Sequence, residues 1–504
     1  MEIGYNWLAS PYLLGVGAVL VVALVRSLLR RERYKFPPGP VGLPILGNIP
    51  SLSPPIYRCF ANMAKTYGPI MTVWMGRVPN IVVSSAELAK EVLKTYDHVL
   101  ASRPSPIIAE IMNHPGYDVV WTPLGNQWRN TRKLCVNELL NPTGLSRFLP
   151  IRVDECQRLI AAIESAGKGS KPVILRNHLW ITMISSFTRM LAGKRYSIDE
   201  PGNPVGKGLE VKQIVDEALR LGSAFNIGDF IPLFRKLDLQ GYEKKLRSFR
   251  SRMDGLMADM WKGHEQHGLQ EEKERDFLDI LLKLKTKYDL DDVTIANVMW
   301  VRNMIFAGSD TTVASLEWTL AELLIHPEML VKAQKEVDSV VGSNRPIEEE
   351  DLPKMKYLNW AYKEALRVHP PTAMLLPHLS TEACTIAGYN IPPGTVIHVN
   401  AWAISRDPAY WRDPESYLPE RYEAEDVDMR GFDFRLLPFG AGRRGCPGIQ
   451  LAVNSSVLLL ANLLRKFKWS LPPGVHPQDV DMTEAFGFVQ NMKVPISAIA
   501  TVRV

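Results

Sequence analysis

With 504 residues, 46% of them hydrophobic and 22% charged, the chain has an ordinary globular composition and enough length for one large domain or several average ones. A net charge of +5 is small for that length and no long Lys/Arg run marks a phosphate-tracking stripe, which excludes nucleic acid as a partner. The cysteines Cys59, Cys135, Cys156, Cys384 and Cys446 are odd in number, scattered and without a C-x-x-C pair. That argues against a disulfide framework and structural zinc, and puts the folded mass in a reducing compartment.

The N-terminus departs from this soluble picture. Tyr5 to Val25 carries no charge and is long enough to cross a bilayer core, which takes about 20 residues. Arg26, Arg30, Arg31, Arg33 and Lys35 follow, so the positive-inside rule places the rest of the chain on the cytoplasmic side. A cleaved secretory signal would carry its charges before the apolar stretch. Residues 1–25 are therefore expected to be a single transmembrane anchor. Residues 26–50, with Phe36-Pro37-Pro38-Gly39-Pro40, form a basic, proline-rich hinge that can be neither helix nor ordinary strand. Residues 51–504 form the main globular domain.

Periodicity predicts a helix over Ala61–Tyr67, strands over Ile70–Met75 and Asn80–Ser84, and a helix over Ala86–Tyr96, after which helical patterns dominate. Polar Lys262–Arg275 reads as an exposed loop or helix end. Residues 293–325 carry the longest helical pattern, capped by Asp291-Asp292 and stopped by His326-Pro327. About 33 residues at ~1.5 Å each traverse a whole domain. Ala307-Gly308-Ser309-Asp310-Thr311-Thr312 interrupts this pattern with residues that suit helix interiors poorly, which marks a functional weak point.

The chemistry concentrates in Pro438-Phe439-Gly440-Ala441-Gly442-Arg443-Arg444-Gly445-Cys446-Pro447-Gly448. A lone cysteine is most often a small buried hydrophobe. Here Arg443, Arg444 and a helix opening near Pro447 are arranged to favour a thiolate, and the glycines permit close approach to a flat ligand. The spacing Phe439-x-x-Gly442-x-Arg444-x-Cys446-x-Gly448 resembles the haem-ligating signature of the cytochrome P-450 family, in which a thiolate is the axial ligand of haem iron.

Further motifs follow in the family's order. Ala307–Thr312 resembles its oxygen-activating segment, which implies that Ala307 and Gly308 leave room beside the ring, that Thr311 hydrogen-bonds dioxygen or a water, and that Asp310 relays protons. The alternative is a helix kink with Thr bonded back to the preceding turn. Glu364-Ala365-Leu366-Arg367 and Pro419-Glu420-Arg421-Tyr422 resemble the family's Glu–Arg–Arg core, a structural brace; Tyr422 stands where Phe is usual. Trp128 and Arg132 resemble its Trp-x-x-x-Arg contact with a haem propionate, and Arg444, His378 and Arg103 match further propionate positions. The same likeness nominates Tyr117, Asn303, Phe306, Ala373, Met374, Leu375, Phe486 and Phe488 as substrate-pocket residues.

The resemblance implies a mainly α fold with a small β-rich lobe, haem b as cofactor, and monooxygenation driven by electrons from NADPH through NADPH-cytochrome P-450 reductase, with cytochrome b5 as an optional second donor. Arg129, Lys133 and Arg443 would offer that partner a basic face. The proline-rich hinge, Ala89-Lys90 and Val399-Asn400-Ala401-Trp402 look like plant microsomal members acting on phenylpropanoids and flavonoids, the p-coumaroyl ester 3-hydroxylases in particular. Implied with this is a single-pass anchor in the endoplasmic reticulum membrane. A fatty-acid or terpenoid hydroxylase and a non-catalytic haem-thiolate protein are the competing readings.

Overall fold

The computed structural model describes residues 34–112, 118–195, 205–265, 276–288, 290, 295, 305, 307–342 and 345–503. The expected membrane span, the helix caps Asp291 and Asp292, and the pocket candidates Tyr117, Asn303 and Phe306 lie outside them. Among the described residues no helix is long and apolar enough to cross a membrane. The contacts divide the chain into two compact units.

Unit 1 comprises the described residues up to Pro104 together with Asn226–Gln240 and Met374–Ala403. Its strands are β1 (Ile70–Met75), β2 (Val78–Val83), β3 (His378–Leu379), β4 (Cys384–Ile386), β5 (Tyr389–Ile391) and β6 (Val396–Val399). The main sheet runs β1-β2-β6-β3, with β4 and β5 as a separate hairpin. Strands β1 and β2 pair antiparallel with Ile70 opposite Val83, and β2 runs parallel to β6. The first strand agrees with the alternation read from sequence; the second begins two residues earlier than expected, because pairing with β1 continues through Val78. Phe60, Met71, Val73, Met75 and Val82 pack into its core.

The described part of the hinge is laid along β1. The Thr72 N–H donates to Pro38 O at 2.8 Å and the Thr72 hydroxyl to Pro37 O at 2.9 Å. Proline lacks a donor but keeps its carbonyl acceptor, so this segment covers a strand edge without extending the sheet.

Unit 2 comprises Ser105–Phe225, Gly241–Ala373 and Ile404–Val504 and holds most of the helices. In chain order these include α1 (Asn126–Leu134), α2 (Leu149–Ala166), α3 (Leu175–Ala192), α4 (Val205–Ser223), α5 (Tyr242–Glu265), α6 (Ala307–Ile325), α7 (Pro327–Val341), α8 (Lys356–Val368) and α9 (Ile449–Lys466). Helix α6 packs on α3, α8 and α9. From Thr312 to Leu324 every α6 residue is buried, the pattern of a helix inside the core. Helix α5 runs on to Glu265, so the polar stretch expected from Lys262 begins as helix. A small sheet of Val173–Ile174, Ser497–Val502 and Phe467–Ser470 completes the unit. The mainly helical body with small sheets is the architecture expected from the sequence.

Candidate functional site

Gly440 and Gly442 both adopt φ of 67°, a left-handed backbone that L side chains enter at a cost, so the loop before Cys446 turns where only glycine turns freely. The Cys446 N–H closes the loop on Phe439 O at 2.9 Å, and Phe439 packs against the core of unit 2. Helix α9 starts at Ile449 with Gly448 as its cap, so the helix expected to open near Pro447 begins two residues after it.

The cysteine is solvent-exposed, yet protein atoms crowd the sulfur and push the thiol pKa up. The Gly448 N–H, which donates to the sulfur, and the Arg132 charge pull the other way. This corrects the sequence reading, in which Arg443 and Arg444 were the cations acting on the thiol. Arg444 instead turns to backbone, its Nη1 and Nη2 donating to Val119 O at 3.2 Å and Thr122 O at 2.6 Å. Arg132 Nη2 donates to Gly445 O at 2.6 Å, which ties α1 to the cysteine loop.

Trp128 lies between the two guanidiniums, with Arg444 4.3 Å and Arg132 5.8 Å from its ring centroid. Its indole N–H donates to Val119 O at 3.0 Å, so the ring serves here as a buried platform for two arginines. Trp128, Arg132, Arg444 and Cys446, spread over more than 300 positions in sequence, are thus brought together.

On α6, Asp310 is buried and desolvation raises its pKa. The Thr311 hydroxyl donates to Ala307 O one turn back, the geometry foreseen as the alternative for this segment. A Cβ on Gly308 would lie 2.1 Å from the Phe187 ring, so its missing side chain makes room for α3. Ala307 is exposed.

The brace forms in full. Glu364 Oε1 and Oε2 accept from Arg367 Nη2 at 2.8 Å and Nε at 2.9 Å, both side chains being fully buried, and Arg421 Nε donates to Oε1 at 2.8 Å. Arg367 also donates to Ser405 O, Pro414 O and Ser416 O, so α8 gathers the chain leading to the cysteine loop. Tyr422 is buried, and its ring carries the Lys363 ammonium 4.5 Å from the centroid.

Arg103 and His378 belong to unit 1. There Arg103 Nη1 donates to Leu376 O and Pro377 O, both at 2.7 Å, and His378 Nδ1 lies 3.0 Å from Leu100 O. Met374 and Leu375 are in unit 1; Ala373, Phe486 and Phe488 are in unit 2. Ala373 is buried, whereas Phe486 and Phe488 are 66% and 39% exposed, an unusual placement for large apolar rings.

Sequence reasoning missed several residues around α6. His369 stacks on Trp318 with centroids 3.8 Å apart and meets Glu322 Oε1 at 2.7 Å. Arg176 pairs with buried Glu317, and Asn491 reaches Asp310. Only Glu317 left a sequence signal, two turns from Asp310 on the same helix face.

A family model described as cytochrome P450 matches residues 37–496. The chain belongs to the cytochrome P450 family. Cytochrome P450 98A2 of Glycine max is 40% identical to it over 95% of this chain and 94% of that protein. Flavonoid 3'-monooxygenase of Arabidopsis thaliana is 37% identical over 93% and 91%. A zebra fish cytochrome P450 solved with progesterone superposes with a TM-score of 0.77 at 26% identity, over 90% of this chain and all of that one. Cytochrome P450s are haem-dependent monooxygenases, and this one carries residues that fit the group. It has a cysteine ligand on a glycine-shaped loop, with Arg132 acting on the sulfur and Arg132 and Arg444 both against Trp128, and no carboxylate contacting the sulfur among the described residues. Ligation by metal overcomes the raised thiol pKa, since the bound form is the thiolate.

Proposed function

We propose that this cytochrome P450 is a membrane-anchored enzyme of the endoplasmic reticulum that hydroxylates a small aromatic substrate of phenylpropanoid or flavonoid type with electrons from an NADPH-dependent reductase. The observation that carries it is Cys446 held beside the Trp128–Arg132–Arg444 cluster. Haem bound there supplies oxygen activation and insertion of one oxygen atom into the substrate. Cys446 is its ligand, and Arg132 and Arg444, packed on Trp128, supply the donors suited to its two carboxylates. Arg103 and His378 are the family's further candidates for that role. Thr311 and Asp310 offer a hydroxyl and a buried acid for moving protons. Within unit 2, Ala373, Phe486 and Phe488 supply apolar surface for a substrate with few polar handles, and relatives named flavonoid 3'-monooxygenase favour an aromatic one.

Difference-spectrum titration with phenolic esters, flavonoids and fatty acids tests this. Displacement of water from the iron by an aromatic ester or flavonoid, followed by a hydroxylated product with reductase, is expected. A response to fatty acids alone would overturn the substrate class, and a haem spectrum with no product across the panel would leave a binding protein.

Arg129 and Lys133 sit at i and i+4 on α1, the helix whose Arg132 holds Gly445; both are exposed, as is Arg443 on the cysteine loop. They form the basic surface proposed to receive the reductase. Reversing all three to Glu is expected to slow reductase-supported turnover about tenfold at low salt, the gap closing at high salt, while peroxide-supported turnover is unchanged. Equal rates at low salt would exclude this surface.

A further inference from the structure

Asp310 is a buried acid, and among the described residues it has no ion-pair partner. Its Oδ2 accepts one hydrogen bond from Asn491 Nδ2 at 3.2 Å. The other half of that amide, Asn491 Oδ1, is buried and has no hydrogen-bond partner among the described residues. A buried amide oxygen left unpaired is destabilising, and a buried carboxylate with no cation in contact tends to neutralise. One proton removes both costs. Placed on Asp310, it creates an O–H donor that Asn491 Oδ1 can accept while Nδ2 goes on donating, so acid and amide close a ring of two hydrogen bonds. If the amide is turned over, its oxygen faces the carboxyl and again needs that proton.

The charges around Asp310 are engaged elsewhere. Arg176 of α3 gives Nε to Glu317 Oε2 at 2.7 Å and Nη2 to Met492 O at 2.6 Å. Glu317, fully buried on α6 itself, takes that cation and also accepts from the Ile496 N–H. Lys212 and Asp216 of α4 pair with each other at 3.0 Å. Desolvation is the largest influence on Asp310 and raises its pKa; Asp216 adds to it, and Asn491, Arg176 and Lys212 oppose it.

We propose that Asn491 is the positioning residue of Asp310: its amide pairs head to head with the carboxyl and holds it as the neutral acid, the form that has a proton to give. The assignment rests on the monooxygenase reading, in which Asp310 supplies protons. Asn491 is held for this by its own hairpin, in which Ala485 N–H donates to Asn491 O at 2.7 Å and Lys493 N–H to Thr483 O at 2.8 Å. Phe486 and Phe488 occupy the turn of that hairpin.

The test is infrared spectroscopy on the haem-loaded full chain, with Asp310→Asn as the reference. At neutral pH the wild type is expected to show a carboxylic-acid C=O stretch that Asp310→Asn lacks. Asn491→Leu should shift that band to higher wavenumber, because the carbonyl loses the N–H that weakened it. Where Asn491→Leu does not take up haem, Asn491→Ala serves in its place. In turnover the same variant should release more peroxide per NADPH at unchanged KM. Absence of the acid band from wild type, or an unmoved band in the Asn491 variant, overturns the pairing. Loss of the thiolate-type carbon monoxide spectrum in wild type would overturn the functional reading instead, and is recorded on the same sample.

Discussion

Glu364→Ala is expected to destabilise the protein by about 3–5 kcal/mol, because it strands a buried guanidinium. Arg367 keeps its three backbone carbonyl acceptors, but Nε and Nη2 lose the only carboxylate bonded to them among the described residues. Arg421 Nε loses its acceptor at the same time, as does the Leu418 N–H, which donates to Glu364 Oε1 at 3.0 Å. Four hydrogen bonds thus depend on one carboxylate, and water cannot replace them at a site with no exposure. Replacing the exposed i,i+4 pair Arg247–Glu243 should cost below about 1 kcal/mol. Urea unfolding of both variants, with haem content of the purified protein, measures the difference. Since the carbonyls of Ser405, Pro414 and Ser416 also hang on Arg367, Glu364→Ala should emerge depleted in haem even where helicity survives. Equal unfolding midpoints for the two variants would show that the brace contributes nothing beyond a surface ion pair.

The brace and the cysteine loop were legible because each leaves a dense local signature. Glu364 and Arg367 are one helical turn apart, and Gly440 and Gly442 give the loop before Cys446 a backbone that only glycine adopts freely. What joins them in space left little trace. Arg444 looked like a partner of the thiol because it is two residues away in sequence, yet the chain turns at Gly445 and sends it to Val119 and Thr122. The cation that acts on the sulfur, Arg132, is 314 positions earlier. Gly308 reads as space for a ligand, but which neighbour fills the space beside a glycine depends on helix packing, and here it is Phe187. Asn491 was invisible for the same reason: nothing in Gln490-Asn491-Met492 distinguishes an amide that meets a buried acid 181 residues away from one that faces water. Local chemistry survives translation into sequence; pairing across a core does not.

Cys446→Ser is expected to abolish function while leaving the fold intact. The side chain is exposed and its neighbours are held through backbone, by the Cys446 N–H to Phe439 O and by Arg132 to Gly445 O, so a serine of similar size disturbs neither. What changes is the ligand. A thiol can be ionised by the metal it binds, helped here by the Gly448 N–H and the Arg132 charge. A serine hydroxyl stays protonated under the same influences. Purified Cys446→Ser should therefore unfold at the wild-type urea concentration when both are compared without haem, lack the thiolate-type carbon monoxide band, and form no product above background. Burial pushes the thiol pKa of Cys135 and Cys156 up to about 12 and that of Cys384 up to about 11, and none of the three lies on the glycine-shaped loop that Arg132 holds. Their replacement by Ser should leave the carbon monoxide band unchanged. A thiolate-type band surviving in Cys446→Ser would require a sulfur ligand from one of these inert thiols or from Cys59, and the site built around α1, α6 and the glycine loop would then be the wrong one.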